Sequence, residues 1–501
     1  MKPTTALCIV VAILSSSLFA SDRPNILFIA IDDLNDWIGP LGGHPQTKTP
    51  NIDRLAARGM TFTNAHSPGM TCNASRTALM TGLRPSTTGL YSNSVDWRKI
   101  EKLQNLGTLP RYFKKSGYRT TGAGKLFHAS TWNLWAYFGY NDKLAWNSFF
   151  PSLDRQVQDE VMPHEVPARG THPRRFDWSP VASTDFAMGD GQVAFWSAEQ
   201  IRSSGDEPRF DAVGIYRPHL PWFLPRKYFE MHPLENIQLP ERNENDLDDL
   251  PDSVLNGYEK PSKVGTVNRF YWTQEEPGEE RLKQVTQAYL ASVSFADAMV
   301  GHVLDALDDS GRADATIVVL WTDHGFHIGE KNLIGKSTLW RESTRVPLIV
   351  VAPGVTTPGS RSDTAVSLMD IYPTLTDLSG LETPEHIEGI SLTPILKNPS
   401  QKSGRPALSS QKVGTHAVSE DRFRYLRYAD GSEELYDIHS DPNEWTNLAT
   451  DPAYESIKTE MKKWLPRSEA PWLESNRDAS DYVDRVSDIT LPLRIRRFPN
   501  N

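Results

Sequence analysis

The stretch Asn25-Ile26-Leu27-Phe28-Ile29-Ala30-Ile31-Asp32-Asp33 (NILFIAIDD) is apolar at every position from Ile26 to Ile31 and then ends in two acids. A strand with one wet face alternates apolar and polar residues, whereas one that is apolar throughout is covered on both faces, as in a parallel sheet. Working outward, Thr49-Pro50 with NIDRLAARG gives a cap, a proline suited to a first helical turn, apolar spacing and a closing Gly59. TLPRYFKKSG (Thr108 to Gly117) repeats that helical grammar, and YRTTGAGKLFH reads as a short strand breaking at Gly122 and Gly124 before Lys125 and His128. FDAVGIYRPHLPW supplies a further strand with His219 just past its end. An amphipathic stretch from Gln284 to Asp308 leads into ATIVVLWTDHG, an apolar strand that delivers Asp323 and His324. Strands alternating with helices imply an α/β fold around a large, mostly parallel sheet.

Open parallel sheets hold ligands at the carboxyl ends of their strands, and four polar clusters fall there. Taken singly, an aspartate pair can cap a turn and a histidine can be a packed or surface residue. Together they point to chemistry. Asp32, Asp33 and Asp323 are hard oxygen donors whose mutual repulsion calls for a divalent cation. Lys125, Lys336, Arg76, His128 and His219 make a ring of donors suited to a tetrahedral oxyanion such as sulfate or phosphate.

The 501 residues carry 53 basic and 63 acidic side chains, a net charge of −10, with no long basic run, so nucleic acid is an unsuited partner. No fixed-period repeat supports a solenoid. The first 20 residues, MKPTTALCIVVAILSSSLFA, have the lysine, short apolar core and small-residue end of a signal peptide, which predicts an exported protein, periplasmic or secreted. Cys8 precedes most of that apolar core, against a lipoprotein anchor. No later stretch approaches the roughly 20 apolar residues of a membrane-spanning helix, so no stable membrane insertion is expected.

Removal of the leader leaves Cys72 as the mature chain's one cysteine, without a disulfide partner. It precedes NASRTALMTG, whose Ala74, Ala78, Leu79 and Met80 recur at helical spacing. The thiol therefore sits at a helix N-terminus, where backbone N–H groups favour negative charge, with Arg76 four residues on near the same face. The alternative is an ordinary small buried cysteine.

Cys72-Asn73-Ala74-Ser75-Arg76 with Leu79-Met80-Thr81-Gly82-Leu83-Arg84 resembles the signature of type I sulfatases, in which the cysteine becomes formylglycine. NILFIAIDDLNDWIG, TPNIDRLAARGMTFTNAH, GAGKLFH, YRPHLPW, TDHGFHIGEKNLIGK and YADGSEELYDIHSDPNEWTNL agree in order and spacing, so the resemblance spans nearly the whole mature chain. RPSTTGLYSNSVDWR and the TDHG motif are most similar to the iduronate-2-sulfatase-like branch. The resemblance implies that Asp32, Asp33, Asp323 and His324 ligate the metal together with modified residue 72. It further implies that Arg76 and Lys125 hold the hydrated aldehyde and the sulfate oxygens, that His128 takes a proton to release sulfate, and that His219 with Lys336 neutralises the departing alkoxide. Calcium is the favoured cation; the His324 nitrogen keeps magnesium and manganese open. Ala74 stands where most members carry proline, which bears on which formylglycine-generating maturation enzyme accepts the site. Asn73-Ala74-Ser75 is a glycosylation sequon by pattern, read here as chance because a glycan would block the site.

The resemblance also implies an alkaline-phosphatase-like architecture, with a catalytic domain at residues 21–400 and a smaller C-terminal subdomain at 401–501. RPALSSQ, THAVSE, RFRYLRYA and EELYDIH read as short strands of an antiparallel sheet packed with a terminal helix. The aromatic-rich segment from Ser130 to Phe210, notably TWNLWAYFGYNDKLAWNSFF, suits either stacking on sugars or filling the core of an inserted lobe. His327, His416, Trp97 and Arg98 are weaker pocket-lining candidates, with packing or surface roles as the alternative. The expected activity is removal of O-sulfate from a sulfated carbohydrate, exo-acting on a uronic acid or related sugar. Phosphonate or phosphate diester hydrolysis, aryl or choline sulfate hydrolysis, and a non-catalytic binding role are the competing readings.

Overall fold

The computed structural model describes residues 23–129, 139–152, 177–181, 183–203, 205, 207–259, 269–271 and 278–476. The leader and residues 130–138 of the aromatic run lie outside them. The strands that matter here are β1 (Asn25–Asp32), β2 (Met60–Phe62), β3 (Arg119–Gly124), β4 (Ser148–Phe150), β5 (Arg209–Pro218), β6 (Thr316–Thr322), β7 (Leu348–Val351) and β8 (Ser360–Ser362). They form one sheet in the order β8-β2-β7-β6-β1-β5-β3-β4. β1 lies at its heart, parallel to β6 on one side and β5 on the other, and only β7 runs antiparallel to its neighbours.

The opening run is covered on both faces, as expected. Leu27, Ile29 and Ile31 enter one core, with α1 (Pro50–Ala56), α4 (Gly189–Arg202) and α5 (Gly278–Asp309). Ile26, Phe28 and Ala30 enter the other, with α2 (Cys72–Thr81), α3 (Leu109–Lys115) and α6 (Ile371–Leu378). The period-2 alternation of a strand thus divides one apolar sequence between two cores. α5 is long and apolar enough to cross a membrane, but 83% of its most apolar window is buried inside the fold.

β3 runs through Gly122 rather than breaking there. A Cβ at Gly122 would meet Trp146 and Phe149 at 2.8 Å, so the residue makes room for rings in an unbroken strand. Gly124 does close the strand, at φ +69°, and a Cβ there would come within 2.0 Å of the Gly214 carbonyl oxygen. That close approach of β3 to β5 delivers Lys125, whose N–H donates to the same carbonyl.

Four antiparallel strands follow in the C-terminal part, β9 (Ala407–Lys412), β10 (Thr415–Ser419), β11 (Phe423–Arg427) and β12 (Glu433–Asp437). One face packs Val418, Tyr425 and Leu435 on Met461 of the terminal helix α7 (Glu455–Lys462). The other turns Ala417, Leu426 and Tyr436 toward Met70, Leu339 and Trp340 of the main body. After α7 the chain returns across the main body: the Ala470 N–H donates to Ser86 O, Leu473 N–H to Gly89 O, and Asn476 pairs with the Asp96 backbone.

Candidate active site

Five strands and one helix converge at the carboxyl edge of β1 and β6. β1 ends at Asp32, and Asp33 takes a left-handed turn at φ 58° with its N–H donating to Asp323 Oδ1 at 3.3 Å. β6 ends just before Asp323 and His324. β3 delivers Lys125, β5 delivers His219, and the strand Leu333–Gly335 delivers Lys336.

α2 supplies residue 72. The helix begins at Cys72 itself, and all ten of its residues are buried, not the apolar stripe alone. A helix buried all round needs partners for its polar groups. Asn93 Oδ1 accepts the Asn73 N–H at 2.9 Å, and Asn73 Nδ2 donates to Ser92 O and Val95 O. The side-chain amide of the sequon is therefore fully engaged. Gly82 ends the helix in the left-handed conformation, its N–H donating to Ala78 O.

Cys72 Sγ is enclosed by nitrogen: His324 Nε2 and Lys336 Nζ each at 3.4 Å, Lys125 Nζ at 3.9 Å. Lys125 Nζ donates to Asp32 Oδ2, and Lys336 Nζ to Asp33 Oδ1 at 2.5 Å. Arg76 Nε donates to Asp323 Oδ2 at 2.7 Å and its Nη1 to the Lys125 carbonyl, while its guanidinium lies 5.5 Å from the centre of the Trp321 ring. His219 Nε2 stands 3.8 Å from Asp33 Oδ2. His128 is half-buried three residues beyond Lys125, its ring 5.7 Å from that of Tyr140.

Burial pushes the Asp33 carboxyl up to about 7, helped by the neighbouring Asp32 and Asp323 charges and opposed by Lys336. Burial acts on Asp32 in the same direction, but Lys125, His219, Arg76 and Lys336 together drive it well below the usual carboxylate range. The Cys72 thiol is pushed up by burial and by Asp32, against the pull of the two lysines, so the unmodified side chain stays a thiol. Burial takes His324 down to about 4, and burial with the Lys125 and Lys336 charges lowers His219 as well.

A divalent cation fits this donor set. Asp32, Asp33, Cys72 and His324 each offer one ligand atom, all within 4.8 Å of one another. His324 Nδ1 faces the Gly325 carbonyl at 3.1 Å, which can only accept, so Nδ1 carries the hydrogen and Nε2 keeps its lone pair. Asp32 Oδ1 is buried with no hydrogen-bond donor, and Arg76 Nη2, 3.5 Å away, is equally without an acceptor. A carboxylate poised to hold a proton at neutral pH beside an orphaned carboxylate oxygen is an arrangement that a cation relieves. Asp323 is not one of those four donors: it lies 3.7 Å from His324, with Oδ1 accepting the Asp33 and His324 N–H groups and Oδ2 accepting from Arg76 Nε.

The weaker candidates are engaged locally. His327 bonds Thr338, His416 bonds Ser410 and pairs with Glu469, Trp97 donates to Tyr140 O and stacks on Phe127, and Arg98 grips Asp96. Of the described aromatics between 139 and 210, Tyr140, Trp146, Phe150, Trp178 and Trp196 are buried in the cores. Tyr216 and Asn93 lie within YRPHLPW and RPSTTGLYSNSVDWR but were not singled out from sequence, because their contacts depend on residues brought together only by the fold.

The chain matches the Sulfatase family over residues 24–381 and the C-terminal part of N-sulphoglucosamine sulphohydrolase over residues 329–470. It is 39% identical to a sulfatase of Formosa agariphila, covering 92% of this chain and 90% of that protein. It is 31% identical to the iduronate 2-sulfatase of Mus musculus, over 75% of this chain and 72% of that one. Among solved structures it superposes on the phosphonate monoester hydrolase of Agrobacterium radiobacter with a TM-score of 0.71 at 22% identity, covering 88% and 94% of the two chains, a likeness of fold. With the family matched across most of its length, the chain belongs to the sulfatases and is a sulfuric ester hydrolase.

Proposed function

We propose that this sulfatase removes an O-sulfate group from the end of a sulfated carbohydrate, using formylglycine made from Cys72. The observation that carries the reading is the buried setting of Cys72 Sγ between two ammonium groups and an imidazole, in a place where a plain thiol stays protonated. Formylglycine at this position supplies, as its hydrate, one hydroxyl to attack sulfur and a second through which sulfate is released. A cation held by Asp32, Asp33, Asp323, His324 and residue 72 supplies Lewis acidity toward the sulfate oxygens; calcium suits the oxygen donors, and His324 keeps magnesium and manganese open.

The chain's own side chains do the rest. Lys125 and Lys336, held on Asp32 and Asp33, have further ammonium hydrogens with which to bond sulfate oxygens. Arg76, fixed by Asp323 and the Lys125 carbonyl, holds the residue-72 side of the site. Lys336, an ammonium in the resting site, gives its proton to the departing alkoxide, and neutral His219 accepts a hydrogen bond from the new hydroxyl through Nε2. His128 takes the proton of the second hydroxyl.

Depth supports attack at a chain end: Cys72 is 0% and Lys336 2% exposed, while His219 keeps 22% of its side chain open. A terminal sugar reaches such a floor; the middle of a polymer does not. The relative named iduronate 2-sulfatase makes a 2-O-sulfated uronic acid or a related ring the first candidate. Export to the periplasm or the medium, and a maturation enzyme that accepts Ala74, belong to the same proposal. Initial rates on terminally sulfated oligosaccharides, intact polymers, 4-nitrophenyl sulfate, choline sulfate and a phosphonate ester test it, with mass spectrometry of the residue-72 peptide. Highest kcat/KM on a terminal sugar sulfate and an aldehyde at residue 72 are expected. A preference for choline, aryl or phosphonate esters overturns the glycan reading, and fast release from polymer interiors overturns the chain-end reading.

A further inference from the structure

β5 does not end as a plain strand. Its register with β1 runs from Ile31 opposite Ile215 directly to Asp32 opposite Pro218, so Tyr216 and Arg217 are extra residues in a bulge. Their N–H groups leave the ladder and are taken by Asp190 of α4, at 2.6 and 3.0 Å. Bulges re-aim side chains and gather beside active sites. Here the re-aimed residue touches two site groups at once.

The Tyr216 ring lies beneath Lys125, with Nζ 4.5 Å from its centroid, inside cation–π range. The Tyr216 hydroxyl is 2.8 Å from His219 Nδ1, and the two rings are 4.8 Å apart. His219 Nδ1 is also 2.7 Å from the Leu220 carbonyl, which only accepts, so Nδ1 carries the hydrogen and Nε2 is the atom left to face Asp33 and the substrate. Tyr216 itself is 1% exposed and reaches no solvent.

We infer that Tyr216 is a positioning residue that ties the sulfate side of the site to its leaving-group side, its ring seating Lys125 and its hydroxyl holding His219 with Nε2 toward the departing oxygen. The inference rests on the sulfatase reading above. In the step concerned, the ester S–O bond breaks with its electron pair on the alcohol oxygen, which takes a proton from Lys336, while the sulfuryl group passes to a hydroxyl oxygen of residue 72 and the proton of that hydroxyl goes to the resulting Lys336 amine, whose Nζ lies 3.4 Å from Sγ of the unmodified Cys72. A group that accepts the hydrogen of the forming hydroxyl matters where the leaving oxygen must be protonated as it departs, which is the case for a poor leaving group. An aryl oxide, a good one, needs it least.

Two substitutions separate the two contacts. Tyr216→Phe keeps the ring and the volume and removes only the hydroxyl, so kcat on an alkyl or sugar sulfate should fall about 10-fold or more while kcat on 4-nitrophenyl sulfate stays within about threefold. KM should hold for both. Tyr216→Leu removes the ring as well, and both substrates should lose about 10-fold or more as Lys125 loses its seat. In a His219→Ala background, Tyr216→Phe should add no further leaving-group dependence, because the partner of the hydroxyl is gone. Equal losses on both substrates in Tyr216→Phe, or none on either, overturn the hydroxyl's role, and a Tyr216→Leu enzyme that matches Tyr216→Phe overturns the ring's. If the parent enzyme hydrolyses no sulfate ester, the reading of the site fails and this inference with it. An active parent with an unchanged leaving-group dependence defeats the inference alone.

Discussion

Among the described residues, two of the clusters of buried charge are finished differently. Between the main body and the C-terminal sheet, Arg424 uses every arm: Nε on Ser419, Nη1 on Glu444, Nη2 on Leu339 O and Thr344. Glu434 beside it accepts from Trp340, Tyr428 and Tyr436, and Lys331 donates to Asp246 and Glu444 O. At the edge of β1 three carboxylates also meet three cationic side chains, yet Asp32 Oδ1 and Arg76 Nη2 are left without hydrogen bonds and Asp33 is held near a neutral pKa. Burial of charge is common to both. What separates a joint from a reactive centre is that the joint is complete and the centre is built to be completed by something else.

That contrast can be broken most severely at Cys72. Cys72→Ala should lower kcat by about 10⁴-fold or more with little change in the unfolding midpoint, since catalysis loses its nucleophile and the core a sulfur atom. Steady-state kinetics with thermal unfolding of the same sample checks it; a folded variant with wild-type turnover would remove residue 72 from the chemistry. Next in size, Arg424→Ala should cost about 3–5 kcal/mol in urea unfolding, because Glu444 is left buried without its partner, while kcat per folded molecule stays within about twofold. Equal losses of rate and stability there would erase the distinction between the two clusters.

Cation removal should strike only the incomplete cluster. Exhaustive chelation is expected to lower kcat by about 10²-fold or more and to be reversed by one equivalent of divalent metal per chain. Full activity in demetallated protein would refute the metal assignment. The smallest effect sharpens the baseline with a histidine from neither cluster. His232 bonds Ser294, and burial, with the Lys48 and His44 charges, lowers its pKa to about 4. The unfolded chain binds a proton near 6.5 and the folded one near 4, so its contribution is intact above 6.5 and is lost as pH falls through that window. His232→Gln should flatten the pH dependence of stability by about 1.5 kcal/mol between pH 6.5 and 5, read as the change in urea midpoint. An unaltered slope would mean that His232 titrates normally in the fold.

Much of this was legible in the chain, for local reasons. NILFIAIDD and ATIVVLWTDHG each state burial on both faces and then break into reactive side chains, so strand, direction and rim can be read from one short run. The four C-terminal strands announce themselves by alternation and turns. What was not legible depends on distant pairing. Nothing within VPLIVVAPG says that Leu348–Val351 must run against its neighbours, because direction in a sheet is set by the connections on either side. The cap on α2 comes from Asn93, 20 residues on, and the support of Lys125 and His219 by Tyr216 follows from a bulge whose amides are satisfied by Asp190. Gly122 misled because a glycine that admits a ring and a glycine that ends a strand look alike in sequence.

The returning tail sets a timetable. Residues 470–476 bind the segment from Ser86 to Asp96, and that segment carries the Asn93 and Ser92 groups on which the first turn of α2 leans. The tail lies about 400 residues downstream of Cys72, so at roughly 5–20 residues per second it leaves the ribosome some 20–80 s later. For that interval the thiol-bearing turn lacks its final buttress, and on the proposal that Cys72 becomes formylglycine, the maturation enzyme has that interval before residues 470–476 are laid in place.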